Sequence, residues 1–209
     1  MMHQEVLTTE AKKLLPYFKK FKPHYYLAGG TALAMQLGHR ISIDFDFFSE
    51  KKISQTLLPQ IENLMPENTI IKPVVNNSDE LTIFADGIKI TFLYYPFPLI
   101  KSLILLNEVL LPPVQELAAM KAYTIGRRGD YKDYVDLYYL LFERHTSLQE
   151  IIEIAKTKYA NNFYDSLFLE QLIYLDDINI TEIKLLKNNC LTKELLKDFF
   201  EQKVKELEL

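Results

Sequence analysis

The sequence predicts an α+β protein with a mixed β-sheet in its N-terminal half and a helical bundle in its C-terminal half. Short apolar runs, some of them alternating with polar residues, are separated by glycine and proline turns up to Pro112. From Pro113 onward the apolar residues recur at helical spacing instead. We therefore expect an α/β domain over residues 1–111 and a helical domain over residues 112–209.

The composition is that of a globular protein large enough to bury a core. The 209 residues are 48% hydrophobic and 25% charged, with a formal net charge of −4. This acidic balance argues against a broad nucleic-acid-binding surface but allows a local basic site. A single cysteine, Cys190, excludes an intrachain disulfide and a cysteine zinc cluster and fits a reducing compartment. With no leader-like N-terminus and no apolar run near the ~20 residues that a membrane span needs, we expect a cytoplasmic protein with no membrane partner.

The elements of the N-terminal half follow from capping residues and turns. Thr8 or Thr9 is expected to cap the first helix, Thr31 the second and Ser54 the third. The pair Asp86-Gly87 is a strong hairpin signal. The predicted helices run to about residue 20, over 32–37 up to a stop at Gly38, and over 54–64; the predicted strands are 25–28, 41–48, 69–75, 81–85, 88–95 and 108–111.

The C-terminal half is predicted to be helical throughout. Pro113 suits the first turn of its first helix, because proline lacks an N–H that would be unpaired there anyway. Thr181 is expected to cap a short additional helix. The predicted helices are 114–125, 131–144, 147–159, 162–175 and 192–207.

Two aspartates on one face of a predicted strand are the most informative feature of the chain. Asp44 and Asp46 alternate with Ile43, Phe45 and Phe47, so the acids share one face and the apolar residues the other. Side chains two apart on a strand lie about 6–7 Å from each other, and two such carboxylates repel unless a cation lies between them. Mg²⁺ or Mn²⁺ suits them, because hard cations prefer oxygen ligands and add phosphate oxygens from a substrate. The alternative is a pair of solvated acids.

A glycine turn precedes this strand. Gly29, Gly30 and Thr31 open a helix whose first N–H groups favour a phosphate, and the missing Cβ atoms allow close approach. Arg40 lies just before the acids, where it contacts a phosphate or serves as a structural partner for Asp44. The turn and the acids together indicate a site for a metal–phosphate complex.

These residues resemble a known family. The ordered set Gly29-Gly30-Thr31, Gly38-His39-Arg40, Ser42 and Asp44-Phe45-Asp46-Phe47-Phe48 resembles the nucleotidyltransferase fold shared with DNA polymerase beta. Within that fold it is similar to the AbiEii/AbiGii toxin family of abortive-infection, phage-defence and toxin–antitoxin systems. The resemblance implies an NTP substrate, a divalent metal held by Asp44 and Asp46, an acceptor that is RNA, such as tRNA, or protein, and a cognate antitoxin.

A second constellation follows in the helical half. Lys121 lies among alanines in one predicted helix, and Asp133 and Asp136 share a face of the next. The resemblance implies that these three residues, Lys132 and either Arg128 or Arg127 complete the nucleotide site. In it Lys121 neutralises the triphosphate, while Lys132 and Asp133 orient substrate or act as acid and base. Considered alone, the helix pattern fits a solvated face with local ion pairs equally well.

One feature departs from the fold's pattern. Many nucleotidyltransferases of this fold carry a third acid on a following strand, but residues 87–95 contain no carboxylate. Lys89 and Thr91 share the face where that acid would stand. Either Asp133 or Asp136 substitutes for it, or a general base and one metal suffice. The expected function is therefore a metal-dependent nucleotidyltransferase toxin; the alternatives are a degenerate member that binds only nucleotide or a partner, and an enzyme that modifies a small molecule.

Overall fold

A five-stranded mixed sheet carries the acidic stretch, and helices pack against it. The computed structural model describes residues 2–22, 24–107, 109–187 and 191–207. The strands are β1 (Tyr26–Ala28), β2 (Phe45–Ser49), β3 (Ile71–Asn76), β4 (Glu80–Ala85), β5 (Ile88–Tyr94), β6 (Ile104–Leu106) and β7 (Val109–Leu111). The helices are α1 (Thr9–Phe18), α2 (Gly29–Leu37), α3 (Leu57–Leu64), α4 (Val114–Ile125), α5 (Tyr131–Phe142), α6 (Leu148–Tyr159), α7 (Asp165–Ile173) and α8 (Lys193–Lys205). The predicted α+β class is confirmed.

The sheet has the order β1-β2-β5-β4-β3, and β6 and β7 form a separate hairpin. Strands β2 and β5 are parallel, and the other neighbours are antiparallel. In this register Asp46 lies opposite Ala28 of β1 and opposite Thr91 of β5. The second aspartate of the motif is therefore held between two strands rather than at an edge.

Aromatic packing fixes strand β2 from its other face. Phe45 and Phe47 are buried, with ring centroids 4.6 Å and 4.9 Å from that of Phe18. The ring of Phe47 also stacks on Phe92 of β5, at 5.1 Å. Aromatic contacts of this kind stabilise the core beyond the area they bury. They hold β2 so that Asp46 projects from the opposite face.

Several local predictions are confirmed. The Thr8 hydroxyl accepts from the Ala11 amide at 3.2 Å and caps α1. Gly38 ends α2 with a φ of 68°, a left-handed conformation that favours glycine. The Asp86-Gly87 pair turns the chain between β4 and β5. Helix α4 occupies the predicted residues 114–125.

The predicted strand 41–48 is wrong in its first half. Strand β2 begins at Phe45, because the preceding backbone bonds elsewhere: Ser42 N donates to Val6 O at 2.8 Å and Ile41 N donates to Lys184 O at 2.9 Å. The alternation therefore breaks, and the side chain of Ile43 is 49% exposed. Asp44 lies in the loop just before β2 and not on it.

The predicted cap at Thr31 is also wrong. Helix α2 already begins at Gly29, and Thr31 lies inside its first turn. Its buried hydroxyl instead lies 2.8 Å from the Ser42 hydroxyl and donates to the Asp44 carbonyl. The threonine thus ties the start of α2 to the loop that carries the first aspartate.

The remaining differences concern single elements. Helix α3 starts at Leu57, and the Ser54 hydroxyl accepts from Thr56 N in the turn before it. The short helix expected to begin at Thr181 is not present, since residues 181–187 are non-helical, with a bridge at Leu185 and bends at Leu186 and Lys187. Strand β6 was not predicted, while β7 occupies the described part of the predicted strand 108–111. Glu108 and Cys190 lie outside the described residues.

The two halves share one core. Their buried apolar residues form a single continuous cluster, and α2 packs against both α4 and α5. The division at residues 111 and 112 stays a prediction. Among the helices that the structure describes, none combines the length and apolar character needed to cross a membrane.

Candidate active site

Two adjoining cavities open beside the N-terminus of α2. The smaller has a volume of about 390 Å³ and a mostly charged lining, and the larger has about 590 Å³. Both are lined by Gly30, Asp46, Lys89, Lys121, Arg128 and Asp133. The two sequence constellations, one from each half of the chain, therefore meet at the junction of these cavities.

Asp44 and Asp46 both line the smaller cavity. Burial raises the pKa of the Asp46 carboxyl above its ordinary value, and the nearby Asp44 charge adds to this, while Lys89 opposes it. A desolvated carboxylate beside a second carboxylate is strongly stabilised by a bound cation, because the cation replaces the favourable solvation of the negative charge that burial removed. The pair therefore has the donor chemistry of a hard-metal site.

The glycine turn makes room for side chains of the protein itself. Gly29 has a φ of 66°, and a Cβ there would lie 2.6 Å from Oδ2 of Asp46. A Cβ on Gly30 would lie 2.3 Å from Nη2 of Arg40. The turn thus permits the close approach of the Asp46 carboxylate and the Arg40 guanidinium. The expectation that Gly29, Gly30 and Thr31 hold a phosphate stays a prediction.

Asp136 is the centre of a buried network below the cavities. Its Oδ1 accepts from Nε2 of His39 at 2.8 Å and from Nε of Arg40 at 2.7 Å, and its Oδ2 accepts from Nη2 of Arg40 at 3.0 Å. Nζ of Lys121 lies 2.7 Å from the same Oδ2. Burial alone would raise the pKa of Asp136, but the charges of Arg40 and Lys121 outweigh it and hold that pKa well below its usual range. Arg40 is therefore the partner of Asp136 and not of Asp44.

Lys121 joins the network to the cavities. Its Nζ donates to Oδ1 of Asp133 at 2.6 Å and also contacts Asp136. Burial works against its charge, but the two carboxylates outweigh burial and raise its pKa, so it stays a cation. Asp133 is 2% exposed and Asp136 is 0% exposed. The interpretation of their helix face as solvated is therefore wrong.

The two oxygens of Asp133 differ in their surroundings. Oδ1 accepts from Lys121, whereas Oδ2 is buried without a hydrogen-bond partner and has only Nε of Arg128 at 3.7 Å. An unpaired buried carboxylate oxygen is unfavourable, and the adjoining cations reduce that penalty. Asp133 in this conformation is thus set to hold Lys121.

The exposed cations of the second constellation divide into two groups. Arg128 lines both cavities and Lys132 lines the smaller one. Arg127 lies with its guanidinium 3.5 Å from the Tyr123 ring centroid and donates to Asn162 O at 2.8 Å. Arg127 lines the larger cavity but is engaged in these structural contacts, so Arg128, which lines both cavities, is the better placed of the two for a substrate.

Sequence reasoning missed several lining residues. Asp130 caps α5 by accepting from Lys132 N at 3.0 Å and lies at the smaller cavity. Glu182 and Lys184 line that cavity from a segment far along the chain. Lys89 was noted only as standing where an acid was expected. For Asp130 the signal was present, since an aspartate before a helical pattern is a common N-cap.

The segment 182–186 closes one side of the smaller cavity by pairing with the loop after α2. Ile41 N donates to Lys184 O at 2.9 Å, and Leu186 N donates to His39 O at 2.8 Å. These two bonds flank an antiparallel bridge between Arg40 and Leu185. We call residues 182–186 the strap. Backbone hydrogen bonds hold it here, and Ile183 and Leu185 also pack against the core.

The donor set fits one divalent cation. Asp44 and Asp46 provide carboxylate oxygens at one cavity, and no group of three potential ligands (His, Cys, Asp or Glu) with metal-binding geometry occurs among the described residues. Mg²⁺ commonly binds through one or two carboxylates and completes its shell with substrate phosphates and water. Asp44 and Asp46 thus provide two of the ligands that one such cation needs.

Comparison with known proteins identifies this arrangement. The fold is that of a nucleotidyltransferase: a mixed sheet with Asp46 on β2, a helix that begins at a glycine, and a helical half that packs against that helix. The family model described as "Nucleotidyl transferase AbiEii toxin, Type IV TA system" matches residues 14–96. The chain belongs to this family of nucleotidyltransferase toxins.

Relatives extend over most of the chain. An uncharacterised protein of Aquifex aeolicus (strain VF5) is 34% identical over 187 residues, which cover 87% of each chain. The fold is shared with MenT4, a nucleotidyltransferase toxin of Mycobacterium tuberculosis H37Rv, at a TM-score of 0.59 and 16% identity, over 93% of this chain and 82% of that one. It is also shared with JHP933 of Helicobacter pylori, at a TM-score of 0.58 and 18% identity, over 100% of this chain and 95% of that one.

Proposed function

We propose that this nucleotidyltransferase depends on a divalent metal and transfers a nucleoside monophosphate from an NTP to a hydroxyl of RNA, such as tRNA, or of protein. We further propose that it acts in the cytoplasm as a toxin restrained by a cognate antitoxin. The observation that carries the proposal is the meeting of Asp44 and Asp46 with Lys121 and Arg128 beside the N-terminus of α2.

The triphosphate is placed by the start of α2 and by cations. The first turn of this helix, at Gly29, Gly30 and Thr31, offers N–H groups and the positive end of the helix dipole. Asp44 and Asp46 would hold Mg²⁺ or Mn²⁺, which supplies charge neutralisation and orients the phosphates. Lys121, Arg128 and Lys132 then stabilise the negative charge that develops on the leaving pyrophosphate.

The reaction is an in-line displacement. The oxygen of the acceptor hydroxyl forms a bond to the α-phosphorus, its proton is removed, and the bond from that phosphorus to the bridging oxygen breaks. Pyrophosphate leaves with the electron pair of that bond. Asp136 does not contact substrate in this scheme, since it is buried and lines neither cavity; it positions Arg40 and Lys121. Arg40 lines the smaller cavity and is held there by Asp136, beside the turn at Gly30.

Asp133 has two possible parts in this reaction. Through Oδ1 it holds Lys121, and through Oδ2 it would receive a proton if a movement of the cavity wall opened that buried atom. The geometry favours the first part. Replacing Asp133 by Asn tests the second, because an amide cannot accept a proton near neutral pH.

A transfer assay tests the proposed function. Each α-labelled NTP is incubated with Mg²⁺, the purified chain and either total tRNA or cell-extract protein. We expect label on one class of acceptor, dependent on metal, and none with Asp44→Asn or Asp46→Asn protein of unchanged circular dichroism. Full activity in either variant would contradict the assigned metal ligands.

A degenerate, binding-only member is the second candidate. It is favoured by one observation, the lack of a three-ligand acidic group among the described residues. Calorimetry separates the candidates: Mg²⁺-dependent NTP binding by a wild-type chain that labels no acceptor with any of the four NTPs would support binding without turnover.

A further inference from the structure

Lys89 is a cation of the site to which the proposed reaction gives no part. It lies on β5 two residues before Thr91, which is opposite Asp46 on the parallel strand β2. Because side chains alternate along a strand, Lys89, Thr91 and Asp46 share one face of the sheet. Asp44 directly precedes Phe45, and Phe45 is opposite the residue that follows Lys89. Lys89 is therefore on the strand beside both proposed metal ligands.

Three cations line both cavities, and they act on different carboxylates. Nζ of Lys121 lies 2.6 Å from Oδ1 of Asp133, and Nε of Arg128 lies 3.7 Å from Oδ2 of the same residue. The third cation is Lys89. Burial raises the pKa of the Asp46 carboxyl, and the charge of Lys89 opposes this more strongly than the charges of Lys121 and Arg128 do. Lys89 is thus the main neutralising charge of Asp46.

An ammonium at this position opposes the binding of a metal cation to the acidic pair, because like charges repel. At a separation of about 6–7 Å in a water-like medium, a unit charge weakens the binding of a divalent cation by roughly tenfold. A lysine ammonium is carried on a flexible four-carbon stem, and Lys89 is only partly buried. The triphosphate of an NTP carries several negative charges and therefore offers this ammonium a stronger partner than one carboxylate.

We propose that Lys89 is a built-in counter-ion of the acidic pair, and that it makes the binding of metal at Asp44 and Asp46 depend on a bound NTP. The inference rests on the proposed function, in which those aspartates hold the metal. Without NTP, the ammonium neutralises part of the Asp46 charge and repels a metal cation. When the triphosphate enters, the ammonium turns to the phosphate oxygens and leaves the carboxylates to the metal. Each ligand then raises the affinity for the other by the same factor.

The ordinary alternative is a lysine that attracts the triphosphate and has no effect on the metal. The two roles differ in the sign of a measurable effect. In both cases, removal of the charge at Lys89 weakens the binding of NTP. Only a counter-ion of the acidic pair also holds back the metal, so only in that case does removal of the charge tighten metal binding.

Two titrations at about pH 8, where carboxyl groups are ionised, test the inference. Mn²⁺ is the metal probe, with the unbound ion measured by electron paramagnetic resonance, and the α,β-methylene analogues of the four NTPs are titrated by calorimetry. We expect Lys89→Met to bind Mn²⁺ roughly tenfold more tightly than the wild type when no nucleotide is present. The same variant should bind the analogues several-fold more weakly in EDTA, and Mn²⁺ should improve that binding less than in the wild type. Lys89→Arg keeps the charge and should resemble the wild type.

Lys72→Met is a matched control for the loss of one positive charge. Lys72 of β3 is opposite Phe84 of β4, and Phe84 is opposite Lys89, so the two lysines lie in one row, two strands apart. Lys72 lines neither cavity of the site, and its replacement should leave both affinities unchanged. In an Asp46→Asn background, Lys89→Met should no longer tighten Mn²⁺ binding, because the carboxylate that Lys89 neutralises is absent.

The possible failures are distinguishable. An unchanged or weaker Mn²⁺ affinity in Lys89→Met, with an unchanged circular dichroism spectrum, overturns the inference, and so does an equal tightening in Lys72→Met. Equal improvement of analogue binding by Mn²⁺ in the wild type and in Lys89→Met also overturns it. A Mn²⁺ affinity that is the same in Asp46→Asn as in the wild type refutes the assigned metal ligands and the inference with them. A wild-type chain that transfers no nucleotide refutes the proposed function, while the two titrations still decide between the roles of Lys89.

Discussion

The guanidinium of Arg40 binds the carboxylate of Asp136 through two parallel hydrogen bonds, of 2.7 Å and 3.0 Å, inside the protein. Arg40 lies in the loop before Asp44 and Asp46, and Asp136 lies on α5, so the pair joins the sheet half to the helical half. Such a buried pair is costly to break, because the remaining partner keeps its charge without compensation.

Removal of the Asp136 carboxylate should therefore destabilise the whole chain. We expect Asp136→Ala to lower the free energy of unfolding by roughly 3–5 kcal/mol, since it leaves Arg40 and Lys121 as buried, poorly compensated cations. Urea denaturation followed by circular dichroism measures the loss. A change under about 1 kcal/mol would show that the network does not join the two halves.

The depressed pKa of Asp136 predicts that the stability of the fold is sensitive to acid. Because the pKa of Asp136 is depressed in the folded state, it stabilises the fold above the ordinary carboxyl pKa of about 3.9, and this contribution is lost as the pH falls below that value. The free energy of unfolding should decline from about pH 5 downward. The decline should be shallower in Asp136→Asn; equal slopes in the two proteins would exclude Asp136 as its source.

The ionisation of Asp46 should have the opposite effect on the stability of the fold. Burial raises its pKa in the folded state, so its ionised form opposes folding as the pH rises through that value. We expect Asp46→Asn to abolish transfer and yet to raise the melting temperature of the metal-free protein, by about 2–4 °C if roughly 1 kcal/mol is regained. Added Mg²⁺ should stabilise the wild type but not the variant, as thermal scans with and without the metal would show.

Two glycines provide a matched pair for the turn. Gly29 and Gly87 both have positive φ, but a Cβ on Gly29 would contact Asp46, whereas nothing lies within 4 Å of one on Gly87. Both alanine variants should lose about 1–2 kcal/mol from backbone strain. Only Gly29→Ala should also weaken Mg²⁺ binding and transfer. Equal activities would mean that the space at Gly29 does not serve Asp46.

Two lysines test the strap region in the same way. Lys184 lines the smaller cavity, whereas Lys187 forms an ion pair with Glu143 and does not line it. We expect Lys184→Ala to raise the KM for NTP several-fold, through the loss of roughly 1 kcal/mol of attraction to phosphate. Lys187→Ala should leave the KM for NTP unchanged. An equal rise of KM in both variants would mean that the loss of one positive charge, and not the position of Lys184, causes the effect.

The features that could be predicted from the sequence are those that depend on residues close together in the chain. The cap at Thr8, the stop at Gly38 and the Asp86-Gly87 hairpin depend on neighbours in the chain, and the structure has each of them. The paired aspartates were recognisable because their spacing carries chemistry, and Lys121 was recognisable through the family resemblance. These features were enough to identify the class of protein.

What could not be predicted depends on distant contacts. Strand β2 starts late because Ile41 and Ser42 bond to Lys184 and Val6, and no pattern within residues 41–48 reveals those partners. The burial of Asp136 was hidden for the same reason, since its partners lie about a hundred residues away. Long-range hydrogen bonds leave no periodic signal in the sequence.

The position of the strap also bears on how the enzyme is made in the cell. Glu182 and Lys184 complete the cavity wall, yet they are synthesised long after Asp44 and Asp46. A nascent chain interrupted before residue 182 has the acidic motif but lacks these two side chains. We therefore expect interrupted products to bind nucleotide less tightly than the longer chain.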